Sequence, residues 1–154
     1  MVAIYDAALV SENGERWFTE WLPRHAERAA FAFVAAREGD EVVGFTYGYA
    51  GTYGQWWTDR VAEVLEAEQC AAWLDPPHFE VVELHVRPDR QRRGIGTRLL
   101  DDLLARQPHD RALLTARENS QQARSFYAKH GWRELATIAW GDGYGRSIVL
   151  GRRL

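Results

Sequence analysis

The sequence is short of several residue types. It holds one cysteine, Cys70, and one methionine. A single thiol cannot close an internal disulfide, and no Cys/His spacing suggests a zinc site, so no metal is expected. Cys70 sits in EAEQCAAWL, an amphipathic stretch where a packed thiol is the ordinary outcome. Lysine is almost missing: Lys129 stands alone, and every other fixed cation is an arginine. There is no excess of positive charge either, since 19 Lys+Arg against 22 Asp+Glu leave −3. That balance argues against a nucleic-acid binder, even though Arg87, Arg90, Arg92, Arg93 and Arg98 crowd one segment. No run approaches the ~18 apolar residues of a membrane span. The opening MVAIYDAALV lacks a basic leader. A cytoplasmic location without membrane association is therefore expected. Repeats, low-complexity tracts and Ser/Gly linkers are missing as well, so residues 1–154 are expected to form a single domain.

What the chain does have is a core. Hydrophobic residues make up 46%, with seven tryptophans, which suits a globular α/β chain. NGERWFTEWLPRHAERA places Trp17, Phe18, Trp21 and Leu22 at helical spacing, with Asn13 as a cap and Pro23 as a break or kink. Phe31 to Arg37 and Val42 to Gly51 read as antiparallel strands around the turn EGDE. A helix capped by Thr58 or Asp59 carries Val61, Val64, Leu65 and Trp73, and Asp75-Pro76-Pro77 ends it. Phe79 to Val86 is a valine-rich strand. TRLLDDLLARQ is a leucine-faced helix with Asp101 and Asp102 toward its positive end. RALLTA is a short buried strand, ENSQQARSFYAKHG a helix stopped by Gly131, and two last strands flank the turn GDGYG. A first strand is hard to see in MVAIYDAALV: it is either Val2 to Tyr5 or degenerate. The fold class is α/β (α+β): a mixed central sheet of about six to seven strands flanked by helices, with a helical insertion before the central strand.

The segment RQRRGIGTRLL, Arg90 to Leu100, links the central strand to a helix. A Walker loop would need GxxxxGK[ST], and no lysine follows these glycines. A dinucleotide fingerprint would need GxGxxG, and the third glycine is missing. What remains is strand, QxxGxG, helix. Glycines permit a tight turn with uncovered N–H groups. A helix N-terminus adds more such groups and a partial positive charge. Together they can hold a phosphate or pyrophosphate, with Arg92, Arg93 and Arg98 adding attraction; the plainer alternative is a solvated turn.

VRPDRQRRGIGTRLL resembles the acetyl-CoA-binding segment of the GNAT acyltransferases, the GCN5-related N-acetyltransferases, through Gln91, Gly94 and Gly96. ENSQQARSFYAKHGW is similar to a second region of that family, through Asn119, Ala123, Phe126, Tyr127, Gly131 and Trp132. The resemblance spans Phe79 to the C-terminus, with a weaker echo in the first hairpin. It implies a GNAT fold and an acetyl-CoA-dependent N-acetyltransferase acting on a primary amine of a small molecule or peptide, with acetyl-CoA as cosubstrate. It implies that backbone groups from Gln91 through Arg92, Arg93, Gly94, Ile95, Gly96 and Thr97 hold the pyrophosphate. Backbone groups near Leu84 and Val86 would pair with the pantetheine arm. Asn119 would touch that arm too, or serve as a helix N-cap with Gln122 completing a capping box. Tyr127 matches the family tyrosine whose hydroxyl faces the CoA sulfur. Dimers are common in the family, so a homodimer is possible here. A non-catalytic acyl-CoA sensor is the alternative reading.

Transfer to an amine needs a free base, because a protonated alkyl amine with a pKa near ~10 cannot attack. A carboxylate can take that proton, directly or through water. Glu83, in the middle of the strand FEVVELHV, is the first candidate, and His85 shares its face by alternation. Glu80 or a water relay without a dedicated side chain are the others. On the acceptor side, Tyr53, Trp56 and Trp57 open the insertion and could wall an amine or aryl group, or could simply seat the inserted helix. Asp59, Glu63 and Glu66 either attract cations or form a solvated helix face.

Overall fold

The computed structural model describes residues 1–9, 13–75, 77–141 and 145–154. The chain begins with α1 (Val2–Leu9), then a helical run of α2 (Gly14–Arg16), a π-type turn (Trp17–Trp21) and α3 (Leu22–Ala26). The hairpin β1 (Ala32–Glu38) and β2 (Glu41–Gly51) follows. Two helices, α4 (Trp56–Ala62) and α5 (Ala67–Trp73), lead to β3 (His78–Val86). A 3-10 turn (Pro88–Arg90) precedes α6 (Ile95–Leu104), and β4 (Arg111–Arg117), α7 (Gln121–Lys129), β5 (Arg133–Ala139) and β6 (Arg146–Arg153) complete the chain. The six strands form one mixed sheet in the order β1-β2-β3-β4-β6-β5. The β1–β2, β4–β6 and β5–β6 pairs are antiparallel, whereas β3 and β4 pair in parallel at Phe79–Ala112 and Glu80–Leu113. Among the described residues no helix is long and apolar enough to cross a membrane.

By its contacts the chain divides into two compact units, Met1–Ala50 with Val81–Pro108, and Gly51–Glu80 with His109–Leu154. In the first unit Ile4, Tyr5, Trp17, Phe45 and Tyr47 form an aromatic core, and Val43, Ile95 and Leu99 form a smaller cluster with Leu84 and Val86 packed against it. In the second unit Val61, Leu65, Trp73, Leu74, Leu113, Ile138 and Val149 make the core.

Several expectations are corrected. Val2 to Tyr5 is not a strand but the first turn of α1. Ile4 and Tyr5 are buried there, and Tyr5 stacks on Trp17 with ring centroids 4.9 Å apart. Tertiary packing of an alanine-rich segment overrides the β-branched start. Pro23 does not break its helix. The Leu22 N–H reaches back five residues to the Trp17 carbonyl, and the widened turn lets Pro23 start α3, where a missing N–H is tolerated. Asn13 precedes α2 without a side-chain cap bond. The insertion is two helices rather than one. Gln55 holds the N-cap position of α4, while Asp59 turns back to accept the Gly54 N–H at 2.9 Å, so neither Thr58 nor Asp59 is the cap. A Glu66–Gln69 capping box restarts the chain as α5. Asp101 and Asp102 fall in the C-terminal half of α6, whose first turn has no acidic residue, because the helix opens at Ile95. The turn GDGYG lies largely outside the described residues, at 142–144.

Candidate active site

In the first unit the parts with chemical capacity lie on β3 and on the loop that follows it. Glu83 and His85 share one face of β3, as alternation requires, and the His85 Nε2–H donates to Glu83 Oε2 at 2.6 Å. Glu83 remains 18% exposed and His85 7%. The Thr46 hydroxyl donates to the Glu83 backbone carbonyl at 2.7 Å and pins the strand there. Burial first, then the Glu83 and Asp6 carboxylates, push the Tyr5 phenol well above its ordinary range. Tyr47 is pushed the same way by burial and then Glu83. Its hydroxyl receives the Trp17 Nε1–H at 3.1 Å and lies 3.0 Å from His25 Nδ1. Burial, then Arg28, lower His25 to about 4, so its imidazole is neutral at pH 7 and accepts the Tyr47 proton.

The loop after β3 is held by its own side chains. The Gln91 amide donates to the Val86 carbonyl at 3.1 Å. Arg87 pairs with Glu41 at 2.9 Å and Asp89 at 2.6 Å, and Arg90 pairs with Glu38 at 2.8 Å and Asp89 at 2.6 Å. Those two arginines are thereby neutralised. Arg92, Arg93 and Arg98 are exposed, and among the described residues their side chains make no hydrogen bond or close ion pair, although Arg93 helps Arg90 to lower the Glu38 carboxyl. Gly94 is the N-cap of α6 at φ 76°, in the left-handed region that favours glycine, and Arg92 also sits there at φ 59°. Ile95, Gly96 and Thr97 form the first helical turn. Gly96 is therefore a helical residue, and only Gly94 makes the turn.

In the second unit α7 is capped by Ser120, whose hydroxyl accepts the Ala123 N–H at 3.3 Å. Asn119 is exposed and lies one residue too early to be the cap. Tyr127 is half-buried, edge-on to Phe126 at 5.2 Å and to Trp132 at 5.7 Å. The three aromatic residues of the insertion divide. Tyr53 and Trp56 are 48% and 65% exposed. Trp57 turns inward, packs on the core of this unit and donates its indole N–H to Thr115 Oγ1 at 3.5 Å. Trp56 stacks on Trp140 at 5.4 Å, a partner that sequence spacing did not reveal because the two are far apart in the chain. His78 was also missed: it is fully buried, and burial, then His109 and Arg111, lower it to about 4. Glu80 is buried as well. Among the described residues no group of three or more His, Cys, Asp or Glu is placed to hold a metal ion.

The sequence pattern of the acetyltransferase (GNAT) family matches residues 1–132. A GCN5-like protein acetyltransferase of Mycobacterium tuberculosis, Rv2170, is 32% identical over 137 residues, covering 84% of this chain. The chain spans 66% of that relative's length. A GNAT family acetyltransferase from Elizabethkingia anophelis with acetyl-CoA bound superposes with a TM-score of 0.62 at 17% identity, covering 97% of this chain and 90% of that one. Arabidopsis thaliana Naa50 in complex with a bisubstrate analogue, CoA-Ac-MVNAL, gives 0.57 at 18% identity over 79% and 72% of the two chains. Fold neighbours and family pattern point the same way, and the chain belongs to the GNAT acetyltransferase family.

Proposed function

We propose that this chain transfers an acetyl group from acetyl-CoA to a primary amine of a small molecule or peptide by direct attack. The observation that carries the reading is the mouth of α6. Two left-handed residues, Arg92 and Gly94, precede a helix N-terminus, and the exposed Arg92, Arg93 and Arg98 flank it in the chain. Alternating backbone conformations of this kind make a concave set of N–H groups, and the helix dipole adds positive potential. Such a cradle suits a pyrophosphate. The bound acetyl-CoA of the Elizabethkingia structure and the CoA–peptide analogue of the Arabidopsis structure support the same ligand class.

Acetyl-CoA supplies an activated acetyl thioester. Backbone groups from Gln91 to Thr97 hold its pyrophosphate. Leu84 and Val86, which lie outside the two-pair β3–β4 ladder, offer backbone groups to the pantetheine, as does Asn119. Glu83 takes the amine proton and Tyr127 gives its hydroxyl proton to the departing sulfur. Glu83 suits the base role better than Glu80 because it keeps contact with solvent whereas Glu80 is buried. Tyr53 presents an exposed aromatic ring to an acceptor, as does the face of Trp56 that Trp140 leaves uncovered, and Trp57 seats the insertion. Thiol release from acetyl-CoA against polyamines, aminoglycosides, amino acids and short peptides tests the proposal. Release with one class and amide formation on it are expected. Tight acetyl-CoA binding without release for any amine would favour a sensor instead.

A further inference from the structure

We propose that His85 is a positioning residue for the acetyl transfer: its Nε2–H holds the Glu83 carboxylate in the orientation from which Glu83 takes the amine proton. The inference rests on the base role proposed for Glu83 and adds a residue to it. Four observations within the first unit carry it. The Nε2–Oε2 separation is 2.6 Å, short for a hydrogen bond from nitrogen to a carboxylate. Among the described residues no other side chain bonds the Glu83 carboxylate, so Oε1 is left for the amine. The imidazole cannot swing away, because Tyr5 meets it edge-on at 5.3 Å and Phe45 lies against it at 5.3 Å. The exposures, 7% for His85 and 18% for Glu83, make the carboxylate the group that meets solvent and the imidazole the one behind it.

A free carboxylate on a strand samples several rotamers, and each terminal torsion is broad. One fixed oxygen removes most of that freedom before the amine arrives, which is how a supporting residue contributes to rate. Histidine at this place does something phenylalanine cannot. Both would fill the slot between Tyr5 and Phe45, but only histidine presents an N–H to the carboxylate.

The first test needs no acceptor. Nitrogen-15 NMR of the histidines at neutral pH should show His85 with Nε2 protonated, and an unprotonated Nε2 would overturn the proposal. The second test is kinetic, by thiol release with the fastest amine of the panel. His85→Phe should lower kcat about 10-fold or more while the KM for acetyl-CoA stays within about twofold. His85→Gln, which keeps an N–H near the same reach, should recover most of that loss. In a Glu83→Gln background His85→Phe should add less than about twofold, because a residue acting only through Glu83 has nothing left to position. If Glu83→Gln itself leaves kcat unchanged, the base assignment has failed. If Glu83→Gln is impaired and His85→Phe is not, or if the two losses multiply, the base assignment stands and the positioning role is wrong. Should His85→Phe fail to fold, the NMR measurement and the Gln variant still decide.

Discussion

At the scale of single residues, Gly94 and Arg93 separate backbone from charge. A Cβ on Gly94 would meet nothing within 4 Å, so a substitution there is opposed by conformation and not by space. At φ 76° a β-branched side chain costs ~1–2 kcal/mol, and the loop relaxes by turning its N–H groups away. Gly94→Val should therefore weaken acetyl-CoA binding by about tenfold or more, while Arg93→Ala, removing one exposed charge, should cost less than about threefold. Calorimetric titration of both variants settles the order. The segments around Gly94 and Tyr127 were legible in the sequence through their resemblance to the family pattern, and at Gly94 the strand, turn and helix start gave a local reason as well. Arg92 in the left-handed region was not legible, since arginine has no local preference for it. His78 is a second residue whose role appeared only with the fold. Its imidazole is held near 4 against 6.5 when unfolded, so the folded state keeps it neutral. As pH falls through 6.5 the unfolded chain takes up a proton that the folded chain refuses. Stability is thus full above about 7 and declines toward 4, by about 2 kcal/mol from this group between pH 7 and pH 5. Urea unfolding at the two pH values should show the loss, and His78→Leu should reduce it by the share of this group, leaving the share of His25, which burial also holds near 4.

At the scale of elements, the turn before α7 distinguishes two neighbouring polar residues. Sequence pattern favours Asn119 and Gln122 as a capping box, but the hydroxyl that accepts the Ala123 N–H belongs to Ser120. The offset of one residue is ordinary, because Asn, Ser, Thr and Asp are near-equivalent as caps and position is decided by the chain's exit from the preceding strand. Ser120→Ala should lower stability by about 1 kcal/mol in urea titration with little change in cofactor binding. Asn119→Ala should do the reverse, raising the KM for acetyl-CoA at nearly unchanged stability. An equal loss of stability in both would remove the ligand role given to Asn119. The same limit explains the other shifts of boundary. Strands β1, β2, β3 and β4 lie within one or two residues of their sequence reading because turn residues bracket them. The helical run through Pro23 was misread because a π-type turn is a backbone arrangement with no signature of its own in residue type. The split of the insertion at Glu66 was hidden inside a continuous amphipathic pattern.

At the scale of the whole molecule, neither compact unit is a continuous stretch of chain. The chain passes from one to the other at Ala50–Gly51, Glu80–Val81 and Pro108–His109, and the first two of these steps fall within strands β2 and β3. A unit assembled from separated segments has no local route to stability on its own, so the chain should unfold in one cooperative transition, and truncation at any of the three steps should leave an unfolded fragment. Composition foretold the size of the core but not this division, which depends on contacts between residues distant in sequence. If acetyl-CoA binds the folded chain and not the unfolded one, that single transition must move with it. At a ligand concentration of about 100 times Kd the gain is ~2.7 kcal/mol. For a chain of this length that corresponds to a thermal midpoint about 5–10 °C higher. Gly94→Val should keep the midpoint of the free protein within a few degrees and, with binding about tenfold weaker at the same ligand concentration, lose about half of the ligand-induced rise or more. A rise in Gly94→Val as large as that of the unaltered chain would locate acetyl-CoA away from the α6 mouth and remove the observation on which the proposed function stands.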